Sequence, residues 1–293
     1  HEDGSAAYAE RKDSDGNTTP VPYTRPNDEP YSRQKVLKLR TPMLQHRVEE
    51  MQNLVEYFGK EKERLGKIND NSAEGAALLS KIIEVTDPSQ LHLVGHSFGG
   101  ATQMLATQQW TGQNDDSGLQ PKSLTTFDAW AFALEENVVR QGLEKVQRNN
   151  NNEAKLPFLS VISEDWTTNP ERQQIDDFLQ SSASNDSIDI HSYFAHHSVH
   201  QSFSDSEAWF PSFVAKRVRN RGKKEERHAT IRAVVEAWDK IVTGKDDGIV
   251  DGGGGGGDGI LQPFSFATEG KDKKTANHPT LLETEATAST IIS

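Results

Sequence analysis

A glycine-rich turn around one serine constrains the fold of this chain more than any other feature. An apolar run at 91–94 leads into Gly-His-Ser-Phe-Gly-Gly at 95–100, and a segment with one apolar face follows, ending near Gln109. The order strand, G-x-S-x-G, helix is typical of a nucleophile elbow, in which a sharp turn exposes a serine hydroxyl at the C-terminal end of a strand. Glycines flank the serine because such a turn leaves no room for a Cβ beside the packed strand and helix. The pattern predicts an α/β fold with Ser97 as a nucleophile.

The helix after this turn predicts where negative charge is stabilised. Its N-terminus directs free backbone N–H groups toward the serine, so an oxyanion that forms there is stabilised. The backbone N–H of Phe98, the residue directly after the serine, is the expected oxyanion donor.

A serine in such a turn needs a carboxylate and then a histidine, each just beyond the C-terminal end of a later strand. The β-prone run 122–127 leads into Asp128, which is therefore the first candidate for the acid. The alternative is that Asp128 caps the next helix. A rival carboxylate, Glu164, follows the next apolar run at 156–162.

Histidines crowd the end of the following strand, which alternating apolar residues predict to run to about Phe194. The four histidines of this region are His191, His196, His197 and His200. Because imidazole is a common zinc ligand, the cluster also invites a metal-site interpretation. No H-E-x-x-H or similar register is present, however, so the sequence predicts no metal site.

Four segments stand in the chain in this order: 93–102 (LVGHSFGGAT), 127–132 (FDAWAF), 157–164 (PFLSVISE) and 198–205 (SVHQSFSD). Together they closely resemble the platelet-activating factor acetylhydrolase family in its plasma and intracellular type II form. The resemblance implies an α/β-hydrolase fold, a mostly parallel sheet with helices on both faces. It also implies Ser97 as nucleophile, Asp128 as acid and His200 as base, with His196 and His197 as loop neighbours.

The same resemblance implies an activity. The family hydrolyses short or oxidised acyl esters at the sn-2 position of phospholipids, as a calcium-independent esterase of phospholipase A2 type without a cofactor. Phospholipid is therefore the expected substrate. The alternatives are another carboxylesterase of the same fold, since a scaffold does not fix its substrate, and an inactive truncated pseudoenzyme.

The start of the chain carries an expectation of its own. Residues 1–6 resemble a family segment that leaves a central strand, with Glu2 where the family tends to have arginine. No counterpart is found for the glycine-rich loop that supplies the family's second oxyanion N–H. We therefore expect an N-terminally truncated member of low activity, because one oxyanion donor is missing. The run 91–94 is then expected to form an apolar edge strand without a partner on one side.

The composition of the chain indicates which partners it can bind and how it is divided into domains. The chain has 32 Lys and Arg against 44 Asp and Glu, a net charge of −12, which argues against nucleic-acid binding. No apolar run approaches the roughly 18 residues of a membrane span, so a soluble chain is expected, cytoplasmic or secreted. The hydrolase domain is predicted over 1–243. A low-complexity, disordered tail is predicted over 244–293, since six consecutive glycines begin at Gly252.

One segment suggests contact with a lipid surface. Trp209, Phe210 and Phe213 precede a basic run at 216–224, a combination that suits a lipid–water interface. The alternative is a core-packed helix with a solvated basic end.

Three further segments carry local secondary-structure signals. A polar, proline-rich stretch at 11–34 is predicted as a long loop, and Thr41-Pro42 as the start of a helix. A further helix is predicted over 135–147.

Overall fold

A computed structural model describes residues 9–12, 17–21, 32–65, 81–87, 89–112, 119–144, 146, 155–203, 224–244 and 261–263. Near the start of the chain, β1 (Ala9–Lys12) and β2 (Thr18–Val21) form an antiparallel pair. Both strands overlap the stretch 11–34 that was predicted as loop. That prediction is wrong for these residues, because a pair of short strands satisfies its backbone groups by cross-strand pairing and needs no long apolar run.

The main sheet has five strands in the order β3-β4-β5-β6-β7. The strands are β3 (His92–His96), β4 (Ser123–Phe127), β5 (Leu156–Ser163), β6 (Ile188–Ala195) and β7 (Leu261–Pro263). The first four run parallel to one another, and β7 pairs antiparallel with β6. Because parallel strands share one direction, the carboxyl ends of β3 to β6 lie along the same edge of the sheet.

Helices connect and cover the strands. They are α1 (Arg33–Leu65), α2 (Phe98–Gly112), α3 (Glu136–Gln141), α4 (Gln173–Ser182) and α5 (Lys224–Thr243). Residues 81–85 are also helical. Short 3₁₀ turns occupy Ala131–Ala133, Trp166–Thr168, Pro170–Arg172 and His200–Phe203. No helix in these described ranges is long and apolar enough to cross a bilayer.

Side chains alternate between two hydrophobic clusters, one on each face of the sheet. On β5, Phe158 and Ile162 belong to the cluster that includes residues of α1, α2 and α4. Leu159 and Val161 belong to the cluster that includes residues of α5 and β7. Burial on both faces is typical of a parallel sheet between two layers of helices, and the α/β-hydrolase fold expected from the sequence is confirmed.

Two helices differ from their predicted bounds. Helix α1 begins at Arg33 and contains Pro42 in its interior, where the sequence predicted a helix start. Its buried face, which includes Val36, Leu44 and Val48, offsets the backbone hydrogen bond that a proline cannot make. Helix α3 covers only part of 135–147, because the chain turns at Gly142, whose φ is +49°.

Strand β7 lies within the segment that composition assigned to a disordered tail. Leu261 is 5 % exposed and packs in the cluster on the α5 face. The strand has three residues between a glycine-rich and a polar stretch. Alternation of apolar and polar residues over so short a run does not predict a strand. The strand forms because the outer edge of β6 offers unpaired backbone groups.

Candidate active site

The serine predicted as nucleophile lies on a sharp turn between β3 and α2. Ser97 has φ of +55°, a left-handed conformation that costs energy for any residue other than glycine. Two backbone hydrogen bonds hold this turn against β4 and the loop after it. The Ser97 N–H donates to the Phe127 carbonyl at 2.9 Å, and the Trp130 N–H donates to the Ser97 carbonyl at 2.8 Å. Phe98 begins α2, so its N–H belongs to the helix end that lacks intrahelical partners.

Two glycines make this turn possible by close backbone approach. A Cβ on Gly95 would lie 2.4 Å from the Gly99 carbonyl oxygen, and one on Gly100 would lie 2.7 Å from the Ala129 Cβ. A Cβ on Gly99 would meet nothing within 4 Å. The expectation of crowded glycines on both sides of Ser97 therefore holds for Gly95, whereas on the other side Gly100 is crowded and the motif glycine Gly99 is not.

Asp128 follows β4 and is completely buried. It has φ of +42°, and its N–H donates to the Val161 carbonyl at 2.9 Å. Its Oδ1 accepts the Ser163 N–H at 2.6 Å, and its Oδ2 accepts the Ser163 hydroxyl. The carboxylate is thus fixed by the residue that ends the adjacent strand β5, as a buried charge requires.

The imidazole of His200 lies against this carboxylate. Its Nδ1 is 3.2 Å from Asp128 Oδ2. The ring stacks on Trp166, with centroids 4.5 Å apart and planes inclined by 15°, and its other neighbour is His96, also at 4.5 Å. In the described part of the chain no hydrogen bond joins the Ser97 hydroxyl to His200. Such contacts often tighten only when substrate binds.

The rival candidates lie beside the site in other roles. Glu164 Oε2 accepts the backbone N–H of His197 at 2.8 Å, so this carboxylate holds the histidine loop. His196 packs its ring edge against Phe194 at 4.9 Å. His191 contacts Asp189 at 3.0 Å on β6. The structure brings Asp128 and His200 together, and their catalytic roles stay a prediction.

One group in the described residues has ligand atoms close enough to share a metal ion. It consists of His96, Asp128 and His200, whose ligand atoms lie within 4.8 Å of one another. His196 and His197, the neighbours that suggested a metal in the sequence, are not part of it. Two members of the group already share a hydrogen bond, which a metal ion would replace.

Sequence reasoning missed three residues of this site: His96, Ser163 and Trp166. Burial lowers the pKa of His96, and the nearby His200 lowers it further, while Asp128 and the backbone of His200 act in the opposite direction. Ser163 ends a strand directly before Glu164. Because candidate site residues were expected at strand ends, its position was a signal that could have identified it. Trp166 gave no signal, because stacking between segments depends on the folded chain.

A comparison with known protein families identifies the family of this chain. A family model described as Platelet-activating factor acetylhydrolase, isoform II, matches residues 1–240. The chain belongs to this family. Its members are hydrolases, and the activity of this chain is of platelet-activating factor acetylhydrolase type in general terms. No curated protein matches the chain.

Several features predicted from the sequence lie outside the described residues. They are the opening residues 1–6, the aromatic residues Trp209, Phe210 and Phe213 with the basic run up to 223, and most of the stretch 244–293. Peripheral contact of this acetylhydrolase family member with a membrane through those aromatic residues therefore stays a prediction.

Proposed function

We propose that this chain is a serine esterase that hydrolyses short or oxidised sn-2 acyl esters of phospholipids. The observation that carries the proposal is the hydrogen bond from His200 Nδ1 to the buried Asp128, beside a serine on a strained turn. A buried carboxylate in this position orients the imidazole and stabilises its charged form. Family membership supports the hydrolytic chemistry.

The proposed reaction has two halves. Ser97 Oγ attacks the ester carbonyl while His200 Nε2 takes the hydroxyl proton, and the Phe98 N–H donates to the oxyanion. His200 then gives its proton to the departing lysophospholipid. In the second half His200 deprotonates a water molecule, which attacks the acyl-serine carbonyl. His200 then returns this proton to Ser97 Oγ as the bond between the acyl group and the serine breaks and the carboxylic acid leaves. Each step uses groups of the protein and water alone.

Substitution of the three residues tests the assignment. We expect Ser97→Ala and His200→Ala each to lower kcat by something like 10⁶-fold if the residues act as a unit. Asp128→Asn is expected to cost on the order of 10⁴-fold, because it holds the wrong tautomer. Glu164→Gln serves as the matched control, since its carboxylate contacts the His197 backbone N–H. A larger loss for Glu164→Gln than for Asp128→Asn would reverse the choice of acid.

A fluorophosphonate probe separates this proposal from an inactive scaffold. The oxygen of an activated serine attacks the phosphorus of the probe and displaces fluoride, so the wild-type chain should be labelled at Ser97 and the His200→Ala variant should not. Chelators are expected to leave hydrolysis unchanged, because the proposed steps need no metal. Absence of labelling in a folded wild-type chain would contradict the esterase proposal, and inhibition by a chelator would contradict the metal-free mechanism.

A further inference from the structure

Two arginines of α1 lie over an aromatic ring next to the proposed nucleophile. The Cζ of Arg47 is 4.7 Å from the centroid of the Phe98 ring, and that of Arg40 is 5.6 Å from it. Arg40 is also 6.0 Å from the ring of Trp130, which lies 6.0 Å from Phe98. Phe98 directly follows Ser97, and the Trp130 N–H donates to the Ser97 carbonyl. Positive charge is therefore gathered on the two aromatic neighbours of the serine.

Arg40 is buried and short of acceptors. Only 7 % of the residue is exposed, and its Nε is buried without a hydrogen-bond partner. One of its terminal nitrogens donates to the Met43 sulfur at 3.2 Å, and a thioether is a weak acceptor. Across the described ranges, no carboxylate forms an ion pair with Arg40. A buried guanidinium has five N–H donors and is ordinarily paired, so an added anionic acceptor would stabilise this one.

Another arginine of the same helix has the anionic partner that Arg40 lacks, although its Nε is likewise buried without a hydrogen-bond partner. Arg33 forms an ion pair with Glu136 and donates to the Leu134 carbonyl at 3.2 Å. It too lies over an aromatic ring, that of Phe132, at 5.8 Å. The difference between Arg33 and Arg40 is therefore the anion, which Arg33 has in the protein and Arg40 lacks.

We propose that Arg40, with Arg47 beside it, binds the phosphodiester of the phospholipid substrate. This inference rests on the proposed function and names the group that positions the substrate. A planar guanidinium matches two phosphate oxygens with parallel hydrogen bonds. In the substrate only a few covalent bonds separate the sn-2 ester from the phosphate, so the phosphate site has to lie near the serine. These arginines lie over the ring of Phe98, the residue directly after it.

The test uses two esters that differ only in the phosphate-bearing headgroup. They are 1-alkyl-2-acetylglycerophosphocholine and 1-alkyl-2-acetylglycerol. We expect Arg40→Gln to lower kcat/KM for the first roughly 10- to 100-fold, the size of a lost hydrogen bond to a charged group, with little change for the second. Arg33→Gln is the matched control, since it removes a guanidinium that lies over an aromatic ring on the same helix. It should leave the ratio of the two kcat/KM values unchanged. Equal losses on both esters, or no loss on either, would overturn the phosphate site.

Two further measurements distinguish a failed phosphate site from a misfolded variant and from a failure of the proposed function. If Arg40→Gln lacks a native circular-dichroism spectrum, Arg40→Lys takes its place. Arg40→Lys keeps the positive charge but loses the planar guanidinium. We therefore expect a smaller loss of kcat/KM than for Arg40→Gln, again only for the phospholipid ester. Binding of inorganic phosphate, followed by tryptophan fluorescence in the Ser97→Ala chain, needs no hydrolysis. If the wild-type chain hydrolyses neither ester, the proposed function fails. Phosphate binding that Arg40→Gln does not weaken refutes the site itself.

Discussion

At the scale of single residues, Ser163 is the most closely engaged neighbour of the buried acid. Its N–H and its hydroxyl each reach one oxygen of Asp128, and its Oγ also lies 2.7 Å from Asp165 Oδ1. A hydroxyl has one proton, so it cannot donate to both carboxylates at once. Asp165 therefore competes with Asp128 for this proton and weakens the support of the acid.

Ser163→Ala removes the hydroxyl and keeps the backbone N–H. Because a hydrogen bond to a charged group contributes about 1.5–3 kcal/mol, we expect kcat/KM for ester hydrolysis to fall roughly 10- to 100-fold. Steady-state kinetics on a chromogenic acetate ester measures this change in kcat/KM. Ser192→Ala is the control, because the Ser192 hydroxyl on β6 is buried without a hydrogen-bond partner, and its kcat/KM should not change. Similar kinetics for Ser163→Ala and wild type would show that the backbone N–H alone fixes Asp128.

The stacked indole of Trp166 gives a second residue-level prediction. Aromatic stacking contributes about 0.5–1.5 kcal/mol beyond burial, so Trp166→Ala should lower kcat by a factor of roughly 2 to 10 through a less fixed His200. Trp166→Phe keeps a ring face and should retain most of the activity. A loss equal in the two variants would indicate that the stack itself contributes nothing.

At the scale of elements, the β3–turn–α2 unit depends on close packing at two glycines. Adding a Cβ at Gly95 or Gly100 forces backbone or neighbouring atoms apart, which costs about 1–3 kcal/mol. We expect both glycine-to-alanine variants to unfold at lower urea concentration than the wild type. Gly99→Ala, where a Cβ meets open space, should be as stable as the wild type or slightly more so, since alanine favours helix. Equal destabilisation by all three substitutions would contradict the steric explanation.

Strand β3 also carries two histidines whose pKa values are lowered, mainly by burial: His92 and His96. Well above pH 6.5 both histidines are neutral in the folded and in the unfolded chain, so protonation does not lower the free energy of unfolding there. Below that pH the unfolded chain takes up protons first, and the free energy of unfolding falls. The double variant His92→Gln/His96→Gln should flatten this fall between pH 7 and pH 5 in urea titrations. An unchanged pH dependence would contradict the pKa directions.

The sequence predicted the elements that carry the site better than those around it. The nucleophile turn and the strands before Asp128, Glu164 and the histidine loop were found because each joins an apolar run to a polar residue at a strand end. The β1–β2 pair and β7 were missed because short edge strands depend on pairing partners distant in sequence. The start of α1 was misplaced because tertiary packing tolerates Pro42 inside the helix.

At the scale of the whole molecule, β3 is the outermost strand of the main sheet among the described residues. Val94 on this strand is 41 % exposed. An apolar edge with unpaired backbone groups favours pairing with another chain, and a lysine there opposes it. We expect Val94→Lys to reduce self-association in sedimentation experiments at high protein concentration. Val235→Lys changes a valine that is 53 % exposed on α5, away from the edge, and should have no such effect. If both lysines act alike, net charge rather than the edge is responsible.

The parallel arrangement of β3 to β6 has a kinetic consequence. Ser97, Asp128 and His200 follow three different strands, and each parallel pairing closes a long crossover before any contact is gained. Folds built from such distant pairings form slowly, whereas helices form locally and early. During refolding from urea, helical circular dichroism should therefore return well before hydrolysis does, and the chain passes through a period in which its secondary structure is present and its chemistry is not.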